Sequence, residues 1–264
     1  VRAATRIEFS WGSYVQFPEI EQLFSLSGRT TLLPQRAIHY LAAFEHRLSE
    51  RMRVRLEAYD RQDRDLLFRP TYDPRAAGGR IVNPPLYPAW ENSQRGYARG
   101  FDVMLQRRTA NGLTGWIAYG YGRSMIRGGI LQLKFPADYD LRHSVTAFAS
   151  YRLRPTVNVS GRAVYGSGLP ARGFYEYRDG AYFLAENRNQ VRLPHYQRTD
   201  LRVNKMFVHD AWKLSLFGEV INVFNRRNLR FTDLDSYDSR TGAARLAIDR
   251  MFPILPSAGL VVEF

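Results

Sequence analysis

Cysteine is absent from the 264 residues, which excludes a disulfide framework, a thiolate metal site and a cysteine nucleophile. Histidine occurs only five times and is scattered, leaving little for an imidazole metal site. Lysine is nearly missing too: of 38 basic residues only Lys134, Lys205 and Lys213 are lysine, so 35 are arginine. With 25 acidic residues the formal net charge is +13, and the sequence pI is near 10.2. No window of ~18 consecutive apolar residues exists, so no helix can span a bilayer. The chain opens on Val1-Arg2-Ala3-Ala4-Thr5-Arg6 without a signal peptide and runs straight into an alternating pattern, which suggests a fragment of something longer.

What is present is alternation with a period of two. Ile7, Phe9 and Trp11 oppose Arg6, Glu8 and Ser10, while Met52, Val54, Leu56 and Ala58 oppose Arg53, Arg55, Glu57 and Tyr59. Ten strands are predicted, at roughly 4–16, 35–49, 51–68, 95–109, 112–125, 140–154, 155–168, 194–208, 211–226 and 253–264. Four connections are tight: Ser49-Glu50, Ala110-Asn111-Gly112, Arg154-Pro155 and His209-Asp210. Five are long, roughly 17–34, 69–94, 126–139, 169–193 and 227–252, and the two kinds alternate strictly. A transmembrane β-barrel combines short turns at one end with long loops at the other, and its alternation gives a low mean hydropathy such as the −0.38 found here. Trp212, Phe207 and Tyr151 near the tight turns, with Tyr14, Tyr121 and Tyr165 toward the long loops, predict two interfacial aromatic belts. Leu260, Val262 and Phe264 share a face of the last strand and resemble the C-terminal signal that the outer-membrane barrel-assembly machinery reads.

Five stretches in order are similar to the C-terminal half of TonB-dependent outer-membrane receptors. They are NSQRGYARGFD at 92–102, GWIAYGYGRS at 115–124, ADYDLRH at 137–143, LPHYQRTDLRV at 193–203 and LSLFGEVINVFN at 214–225. The resemblance implies an all-β, antiparallel barrel of about 22 strands, of which residues 1–264 supply about ten C-terminal ones. It also implies a plug domain and a TonB box, neither of which is in this sequence, and import of a scarce nutrient powered by TonB.

Charge facing hydrocarbon costs ~2–4 kcal/mol at mid-bilayer. Arg53, Arg55, Glu57, Asp102, Arg142, Arg162, Arg198, Asp200, Arg202 and Glu219 are therefore expected to face the lumen and to pair across strands. Arg198, Asp200, Arg202 and Glu219 are candidates to touch the plug as well, against the equal alternative of a purely structural lattice. Substrate contacts are sought in the long loops, at Tyr72, Tyr87 and Trp90, and at Tyr175, Tyr177, Arg178, Tyr182 and Phe183. Arg75 and Arg172 are further candidates for an anionic ligand, although loops of this composition occur whatever the cargo. Siderophore, vitamin, sugar and peptide are not separable on these residues.

Other functions find less support. The arginines are spread over strands and loops instead of forming one stripe, which argues against nucleic acid; loop arginines suit lipopolysaccharide phosphates better. His209-Asp210 sits at a tight turn, on the opposite side of the membrane from Asp233 and Asp235, and His143 and Ser144 point to opposite faces, so no protease or lipase constellation forms. No cofactor or metal is expected. The reading is a transporter wall with external loops, with outer-membrane lipid, lipopolysaccharide, its own plug, TonB and a small ligand as partners. The alternative is a complete small barrel acting as porin, adhesin or surface enzyme.

Overall fold

The computed structural model describes residues 4–69, 73–84, 86–128 and 133–264. The wall is built from β1 (Thr5–Gln16), β2 (Gln35–Arg47), β3 (Met52–Phe68), β6 (Glu91–Ala110), β7 (Leu113–Gly128), β9 (His143–Arg154), β10 (Val157–Gly166), β13 (Tyr196–Val208), β14 (Lys213–Ile221) and β17 (Leu255–Glu263). The intervening numbers belong to strands within the long connections: the short β4 (Arg75–Ala77), β5 (Arg80–Val82), β8 (Leu133–Pro136), β11 (Tyr175–Arg178) and β12 (Ala181–Leu184), and the longer β15 (Leu229–Tyr237) and β16 (Ala243–Arg250) in the connection 227–252. One short helix, α1 (Ile20–Phe24), is closed at its start by the Glu19 and Gln22 side chains.

All ten predicted strands are present, each paired antiparallel with its sequence neighbours in the wall, and β8 adds to the upper half of β7. β1 and β17 each have one partner, so the described sheet is open. Local chemistry sets the turns. Asn111 and Gly112 both take positive φ (50° and 77°), as a tight hairpin with the twist of its strands requires. β14 ends at Ile221, earlier than the alternation suggested, because Asn222 turns to φ 55°.

Register carries one face continuously across the wall. Ile7 pairs with Phe44, Phe44 with Leu56, Leu56 with Val103, Val103 with Tyr119 and Tyr119 with Val145. On this face Phe9 is 82% exposed and Leu260 64%. Burying a large apolar side chain gains roughly 1.5–3 kcal/mol, so a face of this kind belongs against hydrocarbon, not water. Trp11, Tyr40, Phe101, Tyr121 and Tyr165 border it toward the long loops. Tyr14 corrects the belt assignment: it falls on the opposite face, its ring 4.5 Å from that of His39, and Trp11 takes the outward place.

The wall is a single layer, so the buried core lies elsewhere, in the long connections. β11, β12, β16 and β15 form a separate four-stranded sheet joining loops 169–193 and 227–252. Ala171, Tyr175 and Leu184 are its centre, packed by Ile81 from a third loop and by Phe231, Leu234 and Leu246.

Candidate functional site: the charged wall and the loop-bound mouth

The second face of the wall collects the predicted charges. One register row runs Arg53, Gln106, Trp116, Phe148, Arg162, Asp200. Others contain Arg6, Glu45 and Arg55, or Ser160, Arg202, Glu219 and Ser257. Cross-strand ion pairs do form, at Arg202–Glu219 (3.7 Å) and Arg53–Glu45 (3.4 Å). The shorter contacts, however, run along single strands between residues two apart: Arg6–Glu8 (2.5 Å), Arg55–Glu57 (2.9 Å), Arg61–Asp63 (2.6 Å) and Arg198–Asp200 (3.0 Å). Side chains at i and i+2 share a face, so an Arg-x-acid triplet neutralises itself before a neighbour arrives. Asp102 is opposite Glu57 and has no cation within ion-pair distance among the described residues.

Arg142 belongs to the rim, just before β9. Its Nε donates to Asp140 (2.6 Å), whose carboxylate is fully buried and also accepts from the Ser124 N–H (2.6 Å) and from Arg192. Arg188, 8% exposed, bridges Asp73 (2.5 Å) and Asp138 (3.3 Å) and thereby ties three long connections together. Burial works against its charge, but the two carboxylates prevail and hold its pKa above the usual arginine range. Asn189 adds Nδ2 donations to Asp138 (2.7 Å) and to the Pro136 carbonyl (2.8 Å). At the mouth of β14 the buried Asn222 donates from Nδ2 to the carbonyls of Arg226 and Phe252, each 3.0 Å away, while its N–H reaches Asp200 (3.0 Å). Asp200 is thus 9% exposed and committed to the wall.

No protein-family model matches the chain, and no curated protein does. Solved structures do. The ferric-catecholate import receptor Fiu of Escherichia coli K12 superposes over 98% of this chain with TM-score 0.58 at 13% identity, using 33% of its own chain. The ferripyoverdine receptor of the Pseudomonas aeruginosa outer membrane gives 0.61 at 15%, covering 98% of this chain and 30% of its own. The FrpB iron transporter of Neisseria meningitidis gives 0.64 at 14%, covering 97% and 36%. The fold is that of a TonB-dependent receptor barrel. The chain spans about a third of the length of these solved structures.

In a barrel of this kind the apolar face meets lipid and the charged face lines the lumen. All the predicted lumen residues in the strands fall on the charged face. The predicted loop contacts fare differently. Tyr72 lies outside the described residues. Tyr175, 2% exposed, is loop core, and a ligand reaches its ring only by opening that core. Tyr177 is 61% exposed and, in register with Tyr182, shares its face (ring centroids 5.0 Å apart). Arg178 lies on the other face of the hairpin, 4.2 Å over the Phe183 ring. Tyr87 is 63% exposed, whereas Trp90 is half-buried and its backbone N–H donates to the Ser27 carbonyl (2.9 Å). Arg75 and Arg188 both lie over the Phe174 ring, at 5.7 and 5.6 Å. Asp138, Asp140, Arg188 and Arg192 were not among the predicted residues. The ADYDLRH stretch marks the two aspartates; nothing local marks arginines whose partners lie about fifty or more positions away.

Proposed function

We propose that this chain is part of the wall and external loops of an outer-membrane receptor that imports a small ligand in a TonB-dependent way. The observation that carries the reading is the asymmetry of the wall: every long connection lies at one end, and all five are linked to one another above a charged face. The solved structures of this fold described above are a ferric-catecholate import receptor, a ferripyoverdine receptor and an iron transporter, which favours a metal chelate as cargo. On this reading residues 1–264 are the C-terminal barrel part of a longer protein whose plug fills the lumen. Arg202 and Glu219, 40% and 28% exposed, are the lumen pair offered to the plug. Tyr87, Tyr177, Tyr182 and Arg178 are the loop side chains offered to the ligand. The exposed Leu260 and Val262 on the last strand, with Phe264 directly after it, suit the barrel-assembly machinery.

The test is uptake in cells. A strain lacking the gene that carries this segment is given labelled ferric catecholate and ferripyoverdine under iron limitation, beside its parent and a TonB-deficient strain. Loss of uptake of one chelate in both mutants is expected. Uptake that depends on the gene but persists without TonB would replace the receptor reading with a passive porin.

A further inference from the structure

The lipid-facing side of the wall breaks its own rule near the long loops. Beyond Phe101 and Tyr121 the same outward parity carries cations at registers on either side of the Tyr97–Met125 pair. Arg99 pairs with Arg123, Arg95 with Arg127, and Arg127 with Lys134 of β8, while Arg36 pairs with Arg64 on the neighbouring strands. All seven side chains are exposed. Like charges directly opposite one another destabilise a sheet, and on the lumen face Arg6, Arg53, Arg55, Arg61, Arg198 and Arg202 each have an acid within ion-pair distance. Here only Arg99 does, donating to Asp60 at 2.9 Å. Arg64, Arg95, Arg127 and Lys134 have no carboxylate within ion-pair distance among the described residues. Between them is a surface cavity of about 470 Å³ bordered by Arg64, Arg95, Tyr97, Arg99, Arg127 and Lys134. Tyr97 forms its floor, with Lys134 Nζ 4.9 Å and the Arg99 guanidinium 4.7 Å from its ring centre.

We infer that this cavity binds the phosphorylated headgroup of an outer-leaflet glycolipid of the lipid A type. Charge complementarity selects the occupant. The uncompensated cations require anions, and the apolar band directly below requires acyl chains, so the ligand is an amphiphile with phosphate above hydrocarbon. The Arg99–Arg123 row and the Arg95–Arg127–Lys134 row are four residues apart, ~13 Å along a strand. Two rows suit a headgroup with a phosphate at each end of a disaccharide. Tyr97 between them gives a sugar ring an aromatic face. The position is at the long-loop end, which in outer-membrane barrels is the external one. The inference depends on the barrel fold and not on the cargo or on TonB.

Binding is read on the full-length receptor that carries this segment, purified in detergent and delipidated, by native mass spectrometry. The probes are bisphosphorylated lipid A and the same lipid A after phosphatase treatment. Retention of the bisphosphorylated form alone is expected. Arg95→Gln/Arg127→Gln/Lys134→Gln should lose on the order of a hundredfold in affinity, since each cation near an anionic headgroup contributes roughly fivefold. Should that triple variant not assemble, Arg127→Gln alone, the middle of the row, is expected to lose severalfold. A control, Arg152→Gln/Arg154→Gln at the tight-turn end, should bind like wild type. Equal retention of both lipids by wild type, an unchanged preference in the variants, or displacement of lipid A by millimolar inorganic phosphate would overturn the assignment.

Discussion

Tyr175 shows at the scale of one residue how the loops are held. Its ring is buried between Leu184, Phe231 and the other apolar side chains of the loop sheet. That burial pushes its hydroxyl well above the usual tyrosine range, and the carboxylates of Asp73 and Asp233 push the same way against Arg188 and Arg172. A pKa raised in the folded state means that folding favours the neutral phenol. Its contribution is complete below the ordinary tyrosine value of about 10 and is lost as pH climbs from there toward the folded value. The expected outcome is an alkaline transition in which the loop sheet opens while the wall persists. Tyr175→Phe keeps the ring and removes the proton, so its loop sheet should hold to higher pH. Near-ultraviolet circular dichroism during alkaline titration of both proteins is the check, and coincident transitions would refute the role. The same residue explains why exposure cannot be read from composition. Tyr175, Tyr177 and Tyr182 are all loop tyrosines on one hairpin face, yet only the first lies under the partner strands β15 and β16.

At the scale of elements, Arg188 is the fastener. It sits between the Asp73 and Asp138 carboxylates, which come from two other connections, and it lies against Phe174. Removing one partner of a buried ion pair costs ~3–5 kcal/mol because the remaining charges lose compensation. Arg188→Ala should therefore release loops 73–84 and 175–187 locally without unfolding the wall, whose hydrogen bonds do not involve it. Limited proteolysis in intact outer membranes should show cleavage in these loops at least tenfold faster than in wild type. Equal cleavage rates would mean that the loop sheet is self-sufficient. How much of this was legible beforehand differs by element. The ten wall strands were readable because a wall strand repeats its pattern over nine to twenty residues. The loop hairpins were half-readable. Asp179-Gly180 turns with φ 50° and 80°, much like Asn111-Gly112, and lies between Tyr175, Tyr177 and Tyr182, Leu184; Gly78-Gly79 likewise turns at φ 56° and 74°. Strands of three or four residues are too short for alternation to stand out from a polar loop, and in the nine-residue β15 register shifts at Phe231/Asp233 and Leu234/Ser236 break the period of two, so 227–252 reads as a loop. The pairing of Tyr182 with Ala244 and of Phe183 with Ala243 leaves no local trace at all. Nor did parity save Tyr14, because aromatic type suggested the belt while its even position placed it beside His39.

On the scale of the whole molecule, the question is what the lumen charges face. Most of the wall lattice is self-contained: Arg198 and Asp200 neutralise one another, and Asp200 is spent on Asn222. Arg202 and Glu219 differ. Their contact is long at 3.7 Å, both side chains keep substantial exposure, and Arg202 stacks 3.9 Å over Phe217 with its guanidinium edge toward Asn204 (3.0 Å). A pair so loosely made contributes little to the wall itself, since exposed ion pairs are worth ~0–1 kcal/mol. Reversing both charges, Arg202→Glu with Glu219→Arg, preserves their mutual attraction and inverts the field that they present to the lumen. If the pair serves only the wall, barrel assembly, plug retention and uptake all stay as in wild type. If it meets the plug, assembly is retained while ligand uptake drops by at least about tenfold, since like charges brought together at a contact cost several kcal/mol. The second outcome is the expected one for the full-length receptor, because partial exposure beside an aromatic platform is more than a self-satisfied pair requires. The single variant Arg202→Glu separates the effects further. It places two acids opposite each other in register, so it should weaken both the wall and the plug contact, and Glu219→Arg should then restore the wall but not the uptake.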